Sequence, residues 1–220
     1  MATRYALITL DEATSTQDEA RTRYRGGPLL VVTGHQTAGR GRSGRRWENA
    51  PRAMAASCAF APDWPRAAWP RLSLVAGLAA RDVFDFDLKW PNDLIADGRK
   101  TGGLLAESGD ELVVVGLGLN LWWPQAPADF GALYADDPGP EASADHAGRW
   151  ADAMLSRVDR GPEGWGIEEY RKGCRTIGKQ VSWKPDGTGR AVAVDDEGRL
   201  LVATERGLVA LASGEVREIR

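Results

Sequence analysis

Apolar positions in the first half of the chain fall in short runs, most of them too short for helices. Residues 6–10 form one brief apolar stretch, and Leu29-Leu30-Val31-Val32-Thr33 is a continuous one, so both are predicted strands. A third strand is predicted over 53–60, where Ala55, Ala56 and Ser57 are small enough to leave room for a ligand or a closely packed neighbour. The period then changes. Leu72, Val75, Ala76, Ala79 and Val83 fall at helical spacing and predict a helix over 70–84. In Leu88-Lys89-Trp90-Pro91-Asn92-Asp93-Leu94-Ile95 the proline has no N–H to donate and ends a strand, leaving Asn92 and Asp93 in a turn. Asp97-Gly98 is a two-residue hairpin signal that puts Lys100 at the start of the return strand, just before Gly102-Gly103. A second hairpin is predicted at Gly109-Asp110, and its return strand runs into Gly116-Leu117-Gly118-Leu119-Asn120.

Residues 122–143 carry Trp122, Trp123 and several prolines and predict no regular element. Ala147, Trp150, Ala151, Met154, Leu155 and Val158 make one helical stripe over 145–160, which Gly161 and Pro162 end. A shorter helix follows at 163–172. Four short strands come next, at 181–183, 189–194, 200–204 and 208–211, separated by Pro185-Asp186-Gly187, Glu197-Gly198 and Arg206-Gly207. The pattern predicts an α+β chain in two units. Residues 1–173 form a mixed, mostly antiparallel sheet with flanking helices, and 174–220 form a small all-β barrel.

Charge changes this picture little. The formal net charge of −3 gives no overall drive towards nucleic acid or a membrane, so any basic cluster is a local feature. Two distant cysteines, Cys58 and Cys174, suggest reduced thiols in a cytoplasmic protein rather than a disulfide framework. The N-terminus lacks the apolar core of a signal peptide, and no run reaches the length of a membrane span. With His35 and His146 as the only histidines and no Cys/His pairing, a zinc site is not expected.

The local feature is Gly39-Arg40-Gly41-Arg42-Ser43-Gly44-Arg45-Arg46-Trp47, with four arginines and three glycines in nine residues. Glycines let the backbone approach a ligand, and arginines offer forked donors to carboxylate or phosphate, so a mobile anion-binding loop is predicted. The segment formally satisfies a dinucleotide-binding G-x-G-x-x-G. Yet the residues after it open no apolar-periodic helix whose N-terminus could hold a pyrophosphate. A solvated basic loop and a short RNA-binding patch are the bland alternatives. Ser15, with Asp18 three residues on, has the form of a helix N-cap. The same helix start could instead turn its free N–H groups and hydroxyls towards a ligand.

Four features occur in order: Ser15-Thr16-Gln17, Gln36 with the loop 39–47, Lys89-Trp90-Pro91-Asn92-Asp93, and Lys100-x-Gly102-Gly103. Together they resemble the biotin–protein ligases, whose loop signature is G-R-G-R-x-G-R-x-W. Gly118-x-Asn120 and the β-rich tail resemble the same family, so the likeness covers nearly the whole chain. It implies a catalytic domain of the class II synthetase-like type with an SH3-like C-terminal domain. It implies activation of biotin by ATP, with Mg²⁺, to biotinyl-5′-adenylate, then transfer to a lysine of a biotin carboxyl carrier domain. By that resemblance Ser15, Thr16 and Gln36 bond the ureido ring, with Gln17 where the family often has asparagine. Gly103 and Gly118 let the ligand lie against the sheet. Arg40, Gly41 and Arg42 close over biotin and its adenylate, and Lys100 and Arg42 offset the charge of the approaching carboxylate and α-phosphate. Lys89, Asn92 and Asp93 sit at the polyphosphate and Mg²⁺, with Asp93 as the metal ligand, and Asn120 contacts nucleotide. Trp47 is read either as a loop anchor or as a cover over adenine, and Trp90 and Pro91 as structural.

Some family members carry an N-terminal DNA-binding domain. Here the pattern begins within about fifteen residues of Met1, so a ligase without repressor activity and without a DNA partner is expected. Members occur as monomers and dimers, which leaves a homodimer open. The rivals are a lipoate–protein ligase of the same fold and a non-catalytic RNA-binding module built on the basic loop.

Overall fold

The structure, a computed structural model, describes residues 4–214 and 216–219. Seven strands form the main sheet: β1 (Ala6–Leu10), β2 (Leu29–Thr33), β3 (Arg52–Phe60), β4 (Asp87–Lys89), β5 (Asp93–Ala96), β6 (Arg99–Gly109) and β7 (Leu112–Trp122). Their order is β1-β2-β3-β7-β6-β5-β4. Only β1 and β2 run parallel, because the chain returns through helix α1 (Thr16–Arg23) before pairing; every other neighbour is antiparallel.

Period-2 alternation sorts each central strand into two faces. Met54, Ala56, Cys58 and Phe60 of β3 and Val113, Val115, Leu117 and Leu119 of β7 join the main core. Helices α2 (Leu72–Phe84) and α3 (Ala142–Val158) cover that face, and the buried Trp150 indole donates to the Ala76 carbonyl where the two helices meet. The opposite face carries a smaller cluster of Ala20, Leu29, Val31, Ala59 and Val114, under α1. Beyond this cluster β3, β7 and β6 present Ala55, Ser57, Gly116, Gly118 and Gly103, and the sheet there is lined by little but backbone. That bare patch is the floor of the candidate site.

Most predicted elements stand with local shifts, but Asp93, expected in the turn with Asn92, is the first residue of β5 and pairs with Lys89 and Gly103. Asp97 (φ 50°) and Gly98 (φ 77°) form the expected tight hairpin turn. The second hairpin turns one residue later than predicted, around Asp110 and Glu111, with Gly109 paired to Leu112 and Asp110 taking the left-handed conformation that Asp tolerates. The helix predicted at 163–172 is shorter, α4 (Ile167–Gly173), because Gly161 and Gly166 both take positive φ and turn the chain before it. A 3-10 segment, Arg66–Arg71, precedes α2.

The tail is a five-stranded antiparallel sheet of β8 (Gln180–Trp183), β9 (Gly187–Val194), β10 (Leu200–Thr204), β11 (Gly207–Leu211) and β12 (Val216–Glu218), in the order β11-β10-β9-β8-β12. The last strand is three residues long and gives no periodic signal in sequence. This sheet is sewn to the main one by indole donors. Trp90 donates its backbone N–H to Thr176 Oγ1 and its indole N–H to the Gly198 carbonyl, both at 3.0 Å, and Trp165 donates to Asp196 O at 3.1 Å. Cys58 and Cys174 are free and buried, and burial pushes the Cys58 thiol up to about 12. No helix among the described residues is long and apolar enough to cross a membrane.

Trp90→Phe keeps most of the buried ring but strands the Gly198 carbonyl. We expect a loss of about 1–3 kcal/mol in denaturant unfolding. Hydrogen exchange should rise most around residues 196–202, and exchange rising no more there than in α2 would contradict the assigned linkage.

Candidate active site

The cleft floor is a set of cross-strand rows. Ala55 pairs with Gly118, Gly118 with Gly103, and Gly103 with Asp93; in the next row on the same face Ser57 pairs with Gly116 and Gly116 with Leu105. The Trp47 indole lies on the first row. A Cβ at Gly118 would stand 2.7 Å from a Trp47 ring carbon, closer than real Cβ contacts allow, and one at Gly103 would meet the same ring at 3.5 Å. In this conformation Trp47 therefore anchors the loop to the sheet. Its Nε1 is buried with no hydrogen-bond partner among the described residues.

Between Gly39 and Trp47 the chain folds back on itself. Trp47 N–H donates to Gly39 O and Gly41 N–H to Arg45 O, around a turn whose Ser43 and Gly44 take φ of 57° and 73°. The arginines divide the work. Arg40 is bidentate on Asp18, at 2.6 and 2.8 Å, and reaches Glu107 at 3.2 Å. That contact holds the Asp18 carboxyl below its ordinary range. The Arg42 guanidinium is half-buried in the cleft and makes no hydrogen bond or ion pair with any described residue. Burial pulls its pKa down against the opposing pull of Asp93 and Tyr170.

At the other end of the cleft Ser15 has the extended backbone of an N-cap, but its hydroxyl makes no capping bond. The first helical N–H, of Thr16, is taken instead by Gln36 Oε1 at 2.7 Å, and Thr16 Oγ1 meets both Gln36 Oε1 (3.1 Å) and Ser57 Oγ (2.8 Å). Gln17 donates Nε2 to Leu105 O, while its buried Oε1 has no partner among the described residues. Asp18, the residue that completes a capping pattern in sequence, is spent on Arg40.

On the third wall Lys100 Nζ pairs with Asp93 Oδ1 at 2.5 Å, and Asn92 Nδ2 donates to Leu104 O. The irregular segment after β7 straps the Lys100 backbone: Lys100 N–H donates to Asp129 O, and Gly131 N–H to Lys100 O. Asn120 Nδ2 holds that strap by donating to Gly131 O.

The structure thus brings Ser15, Thr16, Gln17, Gln36, Arg40, Gly41, Arg42, Trp47, Asn92, Asp93, Lys100, Gly103 and Gly118 to one cleft. Lys89 and Asn120 are not among its lining residues. Lys89 stands at the end of β4, paired in register with Asp93, and Asn120 supports the strap behind Lys100. Sequence reasoning missed Glu107, and it also missed Gly214 and Val216, which the C-terminal sheet contributes to the cleft. Trp123 packs on Phe130 of the strap instead of lining the cleft.

A model described as the biotin/lipoate A/B protein ligase family matches residues 8–120, more than half the chain, and one described as the biotin protein ligase C terminal domain matches 176–217. The chain belongs to the biotin/lipoate A/B protein ligase family. Within this ligase family, a Mycobacterium tuberculosis protein named biotin--[acetyl-CoA-carboxylase] ligase is 33% identical over 213 residues, covering 87% of this chain and 79% of the relative. A Bacillus spizizenii bifunctional ligase/repressor BirA is 30% identical over 215 residues; the match covers 85% of this chain but 65% of that longer protein. A biotin protein ligase from Aquifex aeolicus, solved in complex with biotin and ATP, superposes with a TM-score of 0.79 over 97% of this chain and 99% of that one. At 24% identity this last likeness is one of fold.

The glycine floor makes a direct prediction. Gly118→Val should lift Trp47 and free the loop, so that trypsin cuts after Arg42, Arg45 and Arg46 at least about tenfold faster than in the wild type, a factor worth roughly 1.4 kcal/mol of loop opening. An unchanged cleavage rate would show that the loop does not depend on this contact.

Proposed function

We infer that this chain is a biotin protein ligase, which activates biotin with ATP and transfers it to a lysine of a biotin carboxyl carrier domain. One observation carries the reading. The motif groups that resemble those of biotin ligases converge on one cleft, where Arg42, without a hydrogen-bond or ion-pair partner among the described residues, joins the Lys100–Asp93 pair, in a chain whose curated relatives are named for this activity. The names of those relatives favour biotin over lipoate and over RNA.

The chemistry fits the groups present. In the first step a biotin carboxylate oxygen attacks the α-phosphorus, and pyrophosphate leaves. The carboxylate is ionised at neutral pH, so no general base is needed. The obstacle is repulsion between two anions. Lys100 and Arg42 are the cations proposed to offset it, as fixed charge in a partly desolvated site. In the second step the acceptor amine attacks the acyl carbon and AMP leaves. Biotin is proposed to lie on the cleft floor beside the Trp47 indole, which itself covers Gly118 and Gly103, with its ureido ring at Ser15, Thr16, Gln17 and Gln36 and its carboxylate towards Lys100. ATP is proposed to lie towards Asn92 and Asp93.

Mg²⁺ would arrive with ATP. Asp93 is the only carboxylate among the described residues lining the cleft, which suits an ion held by one protein carboxylate with phosphates and water. Asp93, with the Asn92 carbonyl beside it, would hold the ion, which would neutralise polyphosphate charge. No group of three or more potential metal ligands occurs among the described residues, so a resident metal centre is not part of this reading. We also propose that 1–173 act as the catalytic unit and 174–220 as a β unit that closes the cleft through Gly214 and Val216, and that the protein works in the cytoplasm.

Lys100→Ala should lower biotin-dependent pyrophosphate–ATP exchange by about 10²–10³-fold while thermal unfolding stays near the wild type. Retained exchange would remove Lys100 from the mechanism. Arg42→Gly should speed release of the adenylate more than it weakens binding of biotin alone, as measured by the half-life of the purified complex. An unchanged half-life would contradict a retaining role.

A further inference from the structure

Arg40 and Arg42 are two residues apart on the same loop, yet their surroundings differ. Among the described residues the Arg42 guanidinium has no hydrogen-bond or ion-pair partner, whereas Arg40 makes three donor contacts to two carboxylates from different walls. Asp18 sits in the first turn of α1, directly after the Ser15–Gln17 group. Glu107 sits near the far end of β6, on the strand that carries Lys100 and Gly103. We propose that Asp18 and Glu107 are positioning residues that lock the Arg40 end of the loop onto both walls of the cleft, so that Arg40 sets how often the loop opens and leaves Arg42 to meet the ligand.

Two of the loop's attachments differ in kind. At its C-terminal end Trp47 is held by packing on the glycine floor. At its N-terminal end Arg40 is held by charge. Packing is insensitive to ionic strength, while a partly exposed ion pair weakens as salt screens it. The lock therefore makes opening salt-dependent and keeps the packing intact. Both carboxylates lie outside the reacting groups, so their loss should change retention of the intermediate rather than its formation. An exposed, bidentate pair of this kind shifts an opening equilibrium only modestly, about three- to tenfold.

This inference rests on the ligase reading, and the test separates the two. On ligand-free protein, hydrogen exchange of amides 40–46 should speed up about fivefold in Asp18→Asn and in Glu107→Gln, and Asp18→Glu should restore part of the protection. This readout needs no enzymatic activity. On the loaded enzyme, both variants should release biotinyl-adenylate about fivefold faster at low salt, with the KM for ATP unchanged. Raising salt to roughly 0.5 M should speed wild-type release towards that of the variants and leave theirs nearly constant. If both variants exchange and release like the wild type at every salt concentration, the lock is wrong. If the wild type forms no adenylate, the functional reading fails, and the exchange arm still decides the lock.

Discussion

The structure depends on a close approach: an indole lying on two paired glycines. Gly118 and Gly103 face each other across β7 and β6, and any side chain at Gly118 would collide with the Trp47 ring. That contact exists because the strands bury their bulk on the other face. Val113, Val115, Leu117 and Leu119 fill the core under α2 and α3, which leaves the cleft face free to be small. The floor then admits a flat group, the flat group fixes one end of the loop, and the loop brings the half-buried Arg42 into the same cleft as Lys100 and Asp93.

Electrostatics completes what packing begins. Carboxylates neutralise two of the cleft's cations in the resting arrangement: Arg40 by Asp18 and Glu107, and Lys100 by Asp93. Arg42, whose guanidinium makes no hydrogen bond or ion pair with a described residue, sits in a partly desolvated place, which favours an anionic ligand that can pair with it. An enzyme that joins a carboxylate to a phosphate needs such a charge, and it needs a way to keep water from the mixed anhydride that results. In the proposed mechanism the loop supplies both from one short segment.

Much of this was legible in the sequence because it is local. The strands, the Asp97-Gly98 turn and the α3 stripe follow from periodicity and turn chemistry, and the motif groups follow from contiguous residues. What was not legible is long-range pairing. Asp18 and Glu107 lie 22 and 67 residues from Arg40, and Asp18 sits in a helix start, where a capping role explains it equally well until the structure shows otherwise. Asn120 belongs to a motif that suggests ligand contact, yet its amide holds a strap whose partner is the Lys100 backbone. The contribution of Gly214 and Val216 depends on how two sheets meet, and the indole bonds from Trp90 and Trp165 that set this give no periodic signal.

The central claim is that this cleft joins biotin to a protein lysine at the expense of ATP. The direct test is incubation of the purified chain with labelled biotin, Mg·ATP and a biotin carboxyl carrier domain, scored by intact mass for covalent transfer. The account predicts one biotinyl group on one carrier lysine, dependent on ATP and not replaced by lipoate. No transfer of biotin, or transfer of lipoate in its place, would contradict it.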